Sequence, residues 1–262
     1  MKQLLLIVLL ASASSAQIDA RSIIARSVQA NTRDWHAEPR YDNFERDRQP
    51  DGGTKTYAEM MILGSPYQRL ISVNGVALPK WQQEQERQKL ESTLRQRRNE
   101  SASERAERIA KYANGRQSDR LLMDQLTKAM KFVLVREQEL SGRQVYVLKA
   151  TPRADYHPPT MEAEVLRGME GELWIDEARF QWIKVQARVI RPVLIEGFLA
   201  RVEPGTRFEL EKMPVADHVW LPSHFSMKSQ AKILFLFTRK SEEDEIYYGY
   251  HKVLTSQADH GH

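Results

Sequence analysis

Gly171-Glu172-Leu173-Trp174-Ile175-Asp176, followed by Trp182-Ile183-Lys184-Val185-Gln186-Ala187-Arg188, decides the fold class of this chain. Successive side chains of a strand point to opposite faces, so apolar and polar residues in alternation mark a half-buried strand. The second segment puts Ile183, Val185, Ala187 and Val189 on one face, and Trp182, Lys184, Gln186 and Arg188 on the other. The same period continues downstream, over Leu194–Val202, Thr206–Met213, His218–Lys228, Gln230–Arg239 and Ile246–Val253. It places Phe208 with Leu210, Leu221 with Phe225 and Met227, and Ile233 with Phe235 and Phe237. The intervals are too short for crossover helices, so the connections are those of an antiparallel meander. Glu242-Glu243-Asp244-Glu245 reads as an acidic hairpin loop between the last two strands.

Upstream, Phe132–Gln138 and Gln144–Thr151 form a hairpin around Ser141-Gly142, and Met161–Met169 a short helix. Near the start, Ile18 to about Thr32 has an amphipathic helical pattern, with Ile23, Ile24, Ser27 and Val28 gathered on one side. Pro39 ends any helix there. Strands are expected at Tyr41–Arg48, Thr54–Leu63 and Tyr67–Val73, with turns at Pro50-Asp51-Gly52-Gly53, Gly64-Ser65-Pro66 and Asn74-Gly75. Met60 and Ile62 belong to the apolar face of the second of these strands. Residues 81–120 then carry ten basic and seven acidic side chains with few large apolar ones. This segment is expected to be a long, mostly solvated helix, broken near Asn99-Glu100-Ser101, with Ser101 or Ser103 capping a second helical stretch. Ser118-Asp119 is expected to cap a further amphipathic helix carrying Leu121, Leu122, Leu126, Ala129 and Met130.

The 262 residues comprise 39 Lys and Arg against 35 Asp and Glu, five Trp, nine Tyr and eight Phe, and no Cys. Absence of Cys removes disulfides, thiolate metal sites, thiol catalysis and lipid attachment at an N-terminal Cys. A net charge of +4 is no concentrated basic footprint, and it argues against nucleic acid. At the start, Lys2, the apolar run Leu4–Leu10 and the small residues Ala11–Ala16 have the layout of a secretory signal cleaved after Ala16. That run is too short to span a bilayer, which needs roughly 20 residues, and no later stretch is a candidate. The expected organisation is therefore a signal peptide over 1–16, a single domain over 17–254 and a flexible tail over 255–262, in a periplasmic protein that does not span a membrane.

The pairing of the Gly171–Asp176 strand with the later Asp217-His218-Val219-Trp220-Leu221-Pro222 resembles the periplasmic lipoprotein-localisation-factor superfamily, of LolA/LolB-like, outer-membrane lipoprotein-sorting-like proteins. The N-terminal helix, the hairpin at 41–63 and the Asn74-Gly75 turn sit in the order that family has. The resemblance covers roughly residues 18–78 and 120–254, and residues 81–120 look like a charged helical insertion relative to shorter carriers. It implies an α+β fold: a strongly curved, incomplete antiparallel β-barrel covered by helices. It also implies a cavity for acyl chains between sheet and helices. The residues for such a cavity are Met60, Ile62, Ile183, Val185, Phe208, Leu210, Leu221, Phe225, Met227 and Phe235, which on the residues alone are equally an ordinary core.

No G-x-S-x-G elbow, P-loop, H-E-x-x-H or G-x-G-x-x-G motif is present, so no catalytic residue is assigned. Ser65 lies in a turn. His218 and His224 are too far apart for one metal, and His251, His260 and His262 lack a rigid second shell. No metal or cofactor is assigned. Two functions stay open: a non-enzymatic periplasmic carrier of an apolar, acyl-bearing ligand such as a lipid or a lipoprotein's acyl chains, or a cell-envelope interaction module that engages a protein partner through 81–120. An exported hydrolase has no motif behind it.

Overall fold

Each alternating segment pairs with a neighbour in sequence, and among the described residues they make one antiparallel sheet of thirteen strands. The structure, a computed structural model, describes residues 18–195, 200–233 and 237–253. The signal segment 1–16, the tail 255–262 and Phe235 lie outside the described residues. Helix α1 (Ala20–Ala37) leads into β1 (Tyr41–Arg48), β2 (Thr54–Ile62), β3 (Ser65–Val73) and β4 (Val76–Ala77). Two helices follow, α2 (Lys80–Asn99) and α3 (Ala102–Ala129), then β5 (Met130–Leu140) and β6 (Arg143–Pro152). A 3-10 turn (Glu162–Gly168) precedes β7 (Met169–Asp176), β8 (Trp182–Val189), β9 (Val193–Ile195) and β10 (Ala200–Val202). The last strands are β11 (Arg207–Ala216), β12 (Val219–Ile233) and β13 (Phe237–Lys252).

Strand order is β4-β3-β2-β1-β13-β12-β11-β8-β7-β6-β5, with β10 and β9 branching from β12. The chain's first and last strands therefore lie side by side, Tyr41 opposite Lys252 and Asp47 opposite Glu245. Edges β4 and β5 do not pair with each other, so the sheet is an incomplete, curved barrel. The charged segment is the connection between those two edges. It is less solvated than its composition implies. Arg97 donates to the carbonyls of Ile62 (2.8 Å), Ser65 (2.8 Å) and Pro66 (3.0 Å). Arg108 donates to Leu63 O (3.2 Å) and Ser65 Oγ (2.7 Å) while pairing with Glu100 (2.6 Å). Two arginines thus bind the backbone of the β2–β3 turn.

Local chemistry sets the boundaries. Asp19 accepts from Ser22 N (2.8 Å) and starts α1; Ser101 and Glu104 form a capping box that starts α3. The helix then runs unbroken through Ser118 and Asp119, so the cap expected there does not form. Asn74-Gly75 (φ 52° and 74°) and Ser141-Gly142 (φ 52° and 76°) have the two successive positive φ values that tight hairpins need. The β2–β3 reversal sits at Leu63-Gly64, a residue or two earlier than expected.

Four strand expectations change. Lys228-Ser229-Gln230 holds no Gly, Pro, Asn or Asp, and β12 runs through it; Ile233 pairs with Phe237 at its end. The acidic run Glu242–Glu245 is not a loop but the middle of β13, where Lys228 pairs with Glu242 (2.7 Å) and His224 with Asp244 (2.9 Å). Leu194–Val202 is not one strand: Ile195 pairs with Ala200, so the chain doubles back. Finally, β8 carries a bulge. Trp182 opposes Ile175 whereas Lys184 opposes Trp174, leaving Ile183 as the extra residue. The bulge turns Trp182 inward and Ile183 outward, against the parity read from sequence. Trp182 joins the main core of Ile23, Ile24, Leu148, Leu173, Ile175 and Val185, and Ile183 packs with Val145, Val147 and Trp174 on the other face.

Candidate functional site

Between α1, α3 and the sheet from β2 to β11 lies a cavity of about 520 Å³, within the range of about 300–1,000 Å³ common for ligand sites. Strand parity brings Phe208 and Leu210 of β11 and Phe225 of β12 to its wall, and Leu221 of β12 with the adjacent Met60 and Met61 of β2 borders it as well. Phe208 and Phe225 meet edge to face, with ring centroids 5.4 Å apart. From the helices come Val28 and Trp35 of α1 and Met123 of α3. The wall is mainly apolar and includes three methionines, side chains that adapt to irregular shapes.

Five of the ten residues proposed from sequence border this cavity: Met60, Phe208, Leu210, Leu221 and Phe225. Val185 borders a smaller hollow of about 50 Å³, which Val28 and Trp182 connect to the first by bordering both. Ile62 is buried beside the β2–β3 turn, and Met227 stands opposite Phe208, but neither borders the main cavity. Ile183 is turned away by the β8 bulge. The sequence reading offers Met123 as a side chain suited to a deformable cavity but does not assign Trp35, Tyr112, Arg116 or Arg120 to one. Tyr112, Arg116, Arg120 and Met123 recur at helical spacing along α3, a signal present in the sequence but masked by its charge.

A buried polar latch holds α1 over the cavity. Asp34 is 2% exposed. Its Oδ1 accepts from the backbone N–H of Trp220 (3.0 Å) and from Gln181 Nε2 (3.2 Å), and its Oδ2 from Lys212 Nζ (2.7 Å). Lys212 also donates to Asn31 Oδ1 (2.9 Å). Burial pushes the Lys212 ammonium below the usual lysine range, and Asp34 opposes that shift. Two turns before Asp34, Trp182 Nε1 donates to Ser27 Oγ (3.2 Å). Both latches join α1 to strands more than a hundred residues away.

Beside the cavity, the same sheet face carries four carboxyl groups. Glu245 stands opposite Phe225 and Asp47, Glu45 opposite Tyr247, and Glu59 opposite Asn43. Burial, with Asp47 and Glu59 close by, pushes Glu45 up to about 9. Glu59 and Glu245 are also raised, mainly by burial. Asp47 Oδ1 and Glu59 Oε1 are buried without a hydrogen-bond donor, and a protonated Glu45 can donate its one O–H to one of them.

On the outer face, Glu209, Glu211 and His224 bring three ligand-type atoms within 4.8 Å of one another. The Lys184 ammonium sits between the two carboxylates, at 2.7 and 2.8 Å, and supplies the positive charge a cation would bring. No helix among the described residues is long and apolar enough to cross a membrane.

No family model matches the chain, and no curated protein matches it. Among solved structures it is similar to a LolA superfamily protein from Nitrosomonas europaea, at 12% identity and a TM-score of 0.33, over 90% of this chain and 94% of that one. It is similar too to an outer-membrane lipoprotein-sorting protein domain from Vibrio parahaemolyticus, at 10% identity and a TM-score of 0.32, over 87% and 91%. The Pseudomonas aeruginosa MucA/MucB complex matches at 12% identity and a TM-score of 0.23, over 84% and 92%.

Proposed function

We propose that the protein is a non-enzymatic periplasmic carrier or binding protein for an apolar, acyl-bearing ligand, a lipid or the acyl chain of a lipoprotein. The observation that carries this reading is the cavity of about 520 Å³ walled by Met60, Met61, Met123, Phe208, Leu210 and Phe225. Burying an acyl chain yields about 0.8 kcal/mol per methylene, so a plain apolar wall suffices and no signature side chain is required. The periplasmic address rests on the signal-like residues 1–16.

The test is displacement of a hydrophobic fluorescent dye from the mature chain by acyl ligands of increasing length. Saturable displacement that strengthens with each methylene is expected, and Leu210→Trp, whose indole intrudes into the cavity between Phe208 and Phe225, weakens it about tenfold. Saturable binding by neither dye nor acyl ligand would refute the reading.

A second reading, an envelope interaction module, draws on Val76 and Trp81, which are 70% and 63% exposed at the junction of β4 and α2. Exposed apolar side chains in one place mark contact surfaces. Under that reading Trp81→Ala abolishes capture of an envelope protein and leaves dye binding intact.

A further inference from the structure

The rim of the cavity carries information about the ligand that a plain acyl slot does not, provided that the cavity holds an acyl chain as proposed. Arg116 and Arg120 lie one turn apart on α3, and both guanidinium groups stack on the indole of Trp35, at 4.2 and 5.0 Å from the ring centre. The two are differently engaged. Arg116 has a 16% exposed side chain, donates to the Trp35 carbonyl and pairs with Glu38 at 3.0 Å. It ties α3 to the end of α1. Arg120 has a 32% exposed side chain and holds Asp124 at only 3.9 Å, beyond hydrogen-bonding range, and its remaining described contact is His36 Nε2 at 3.4 Å. A guanidinium has five N–H donors in a fixed plane, suited to two oxygens of one anion.

Other charges that border the cavity are engaged already: Lys212 with Asp34, and Arg116 with Glu38. Glu59 holds its proton more readily than an ordinary carboxyl, which weakens its repulsion of an approaching anion. From Arg120, Met123 lies one turn further along α3 and leads to the apolar wall. We propose that Arg120, held over the Trp35 ring, is the head-group site of this cavity, and that the ligand is an amphiphile with an anionic carboxylate or phosphate head whose tail runs inward past Met123 to Phe208 and Phe225. The cation–π contact restrains the guanidinium before the ligand arrives, so less side-chain freedom is lost on binding.

The experiment is competition at pH 8 against a bound hydrophobic dye, with laurate, dodecyl phosphate and dodecanol, which share one tail, and with acetate and inorganic phosphate, which have none. Laurate or dodecyl phosphate, or both, should displace the dye at about a tenfold lower concentration than dodecanol, the gain expected of charge-assisted hydrogen bonds. Which of the two is the stronger identifies the head. Acetate and phosphate alone should not displace it. Arg120→Gln, checked for folding by circular dichroism, should bring the ratio of anionic to neutral competitor close to one. If wild-type protein binds dodecanol as well as both anions, or if Arg120→Gln keeps the ratio, the head-group site is wrong and the acyl reading stands. If none of the twelve-carbon ligands displaces the dye, the acyl reading fails and this inference fails with it.

Discussion

Replacing Asp34 by asparagine removes one charge from the latch that holds α1 over the cavity, with almost no change of shape. The amide oxygen can still accept from Trp220 N and Gln181 Nε2, which bond Oδ1 at 3.0 and 3.2 Å. The Lys212 ammonium, 2.7 Å from Oδ2, instead meets an amide, and its remaining described acceptor is Asn31 Oδ1 at 2.9 Å. Lys212 is deeply buried, so its charge is left without compensation in a dry site. Breaking a buried pair by removing one partner costs about 3–5 kcal/mol. Replacing both partners by neutral groups of similar volume is close to neutral, so Asp34→Asn with Lys212→Met should recover to within about 1 kcal/mol of wild type. The sign with pH comes from the Lys212 shift. A lysine with a depressed folded-state pKa favours the fold as pH rises through that value, because the native state no longer holds the proton. The Asp34→Asn deficit should therefore shrink as pH rises towards the lysine range. Urea unfolding followed by tryptophan fluorescence measures all of this, since Trp182 and Trp220 lie in the latch region. A single-variant cost below about 1 kcal/mol, or a double variant as unstable as the single one, would refute the reasoning.

Glu45 gives a second pH signature of opposite sign. Its carboxyl, pushed up to about 9, keeps its proton in the fold where the unfolded chain releases it near 4.5, so stability should fall as pH rises between those values. Since the group is only partly shielded from water, the fall is about 1–2 kcal/mol across the window, and Glu45→Gln should flatten it in thermal melts at pH 5 and pH 9. Gly171→Ala should cost about 1–3 kcal/mol, because the added Cβ would sit 2.4 Å from the Gln186 carbonyl of β8, a backbone atom that cannot step aside; chemical denaturation reads this. Arg108→Leu should remove the donors on Leu63 O and Ser65 Oγ, and hydrogen exchange at residues 63–65 should quicken by about tenfold or more, with exchange in β6 and β7 unchanged.

Legibility in the sequence depends on the range of the interaction. Strand β1 is legible at both ends, because Pro39 and the Pro50–Gly53 turn bracket it. Asn74-Gly75 and Ser141-Gly142 announce their hairpins through the backbone conformations that glycine permits. The β8 bulge is not legible. It depends on how Trp182 and Ile175 settle across two strands, and that one extra residue exchanges the faces of Trp182 and Ile183. Glu242–Glu245 reads as a loop because charge density alone does not reveal that Lys228 and His224 wait on the facing strand. Asp34 and Lys212 are 178 residues apart, and nothing local marks them as partners. For the cavity, strand parity finds half of the wall, on β2, β11 and β12. The other half sits on α1 and α3, where Trp35, Tyr112, Arg116 and Arg120 keep the helical period, the last three inside a segment whose charge suggests solvent.

The central claim is that the hollow under α1 and α3 is a binding site and not a packing gap. Organic extraction and mass spectrometry of the protein, purified from its native source without detergent, tests it most directly. Acyl-bearing lipid at a stoichiometry approaching one per chain is expected, with clearly less in Leu210→Trp, where the indole intrudes into the space. An extract with no more lipid than a denatured control, together with a wild-type chain indistinguishable from Leu210→Trp, would contradict it.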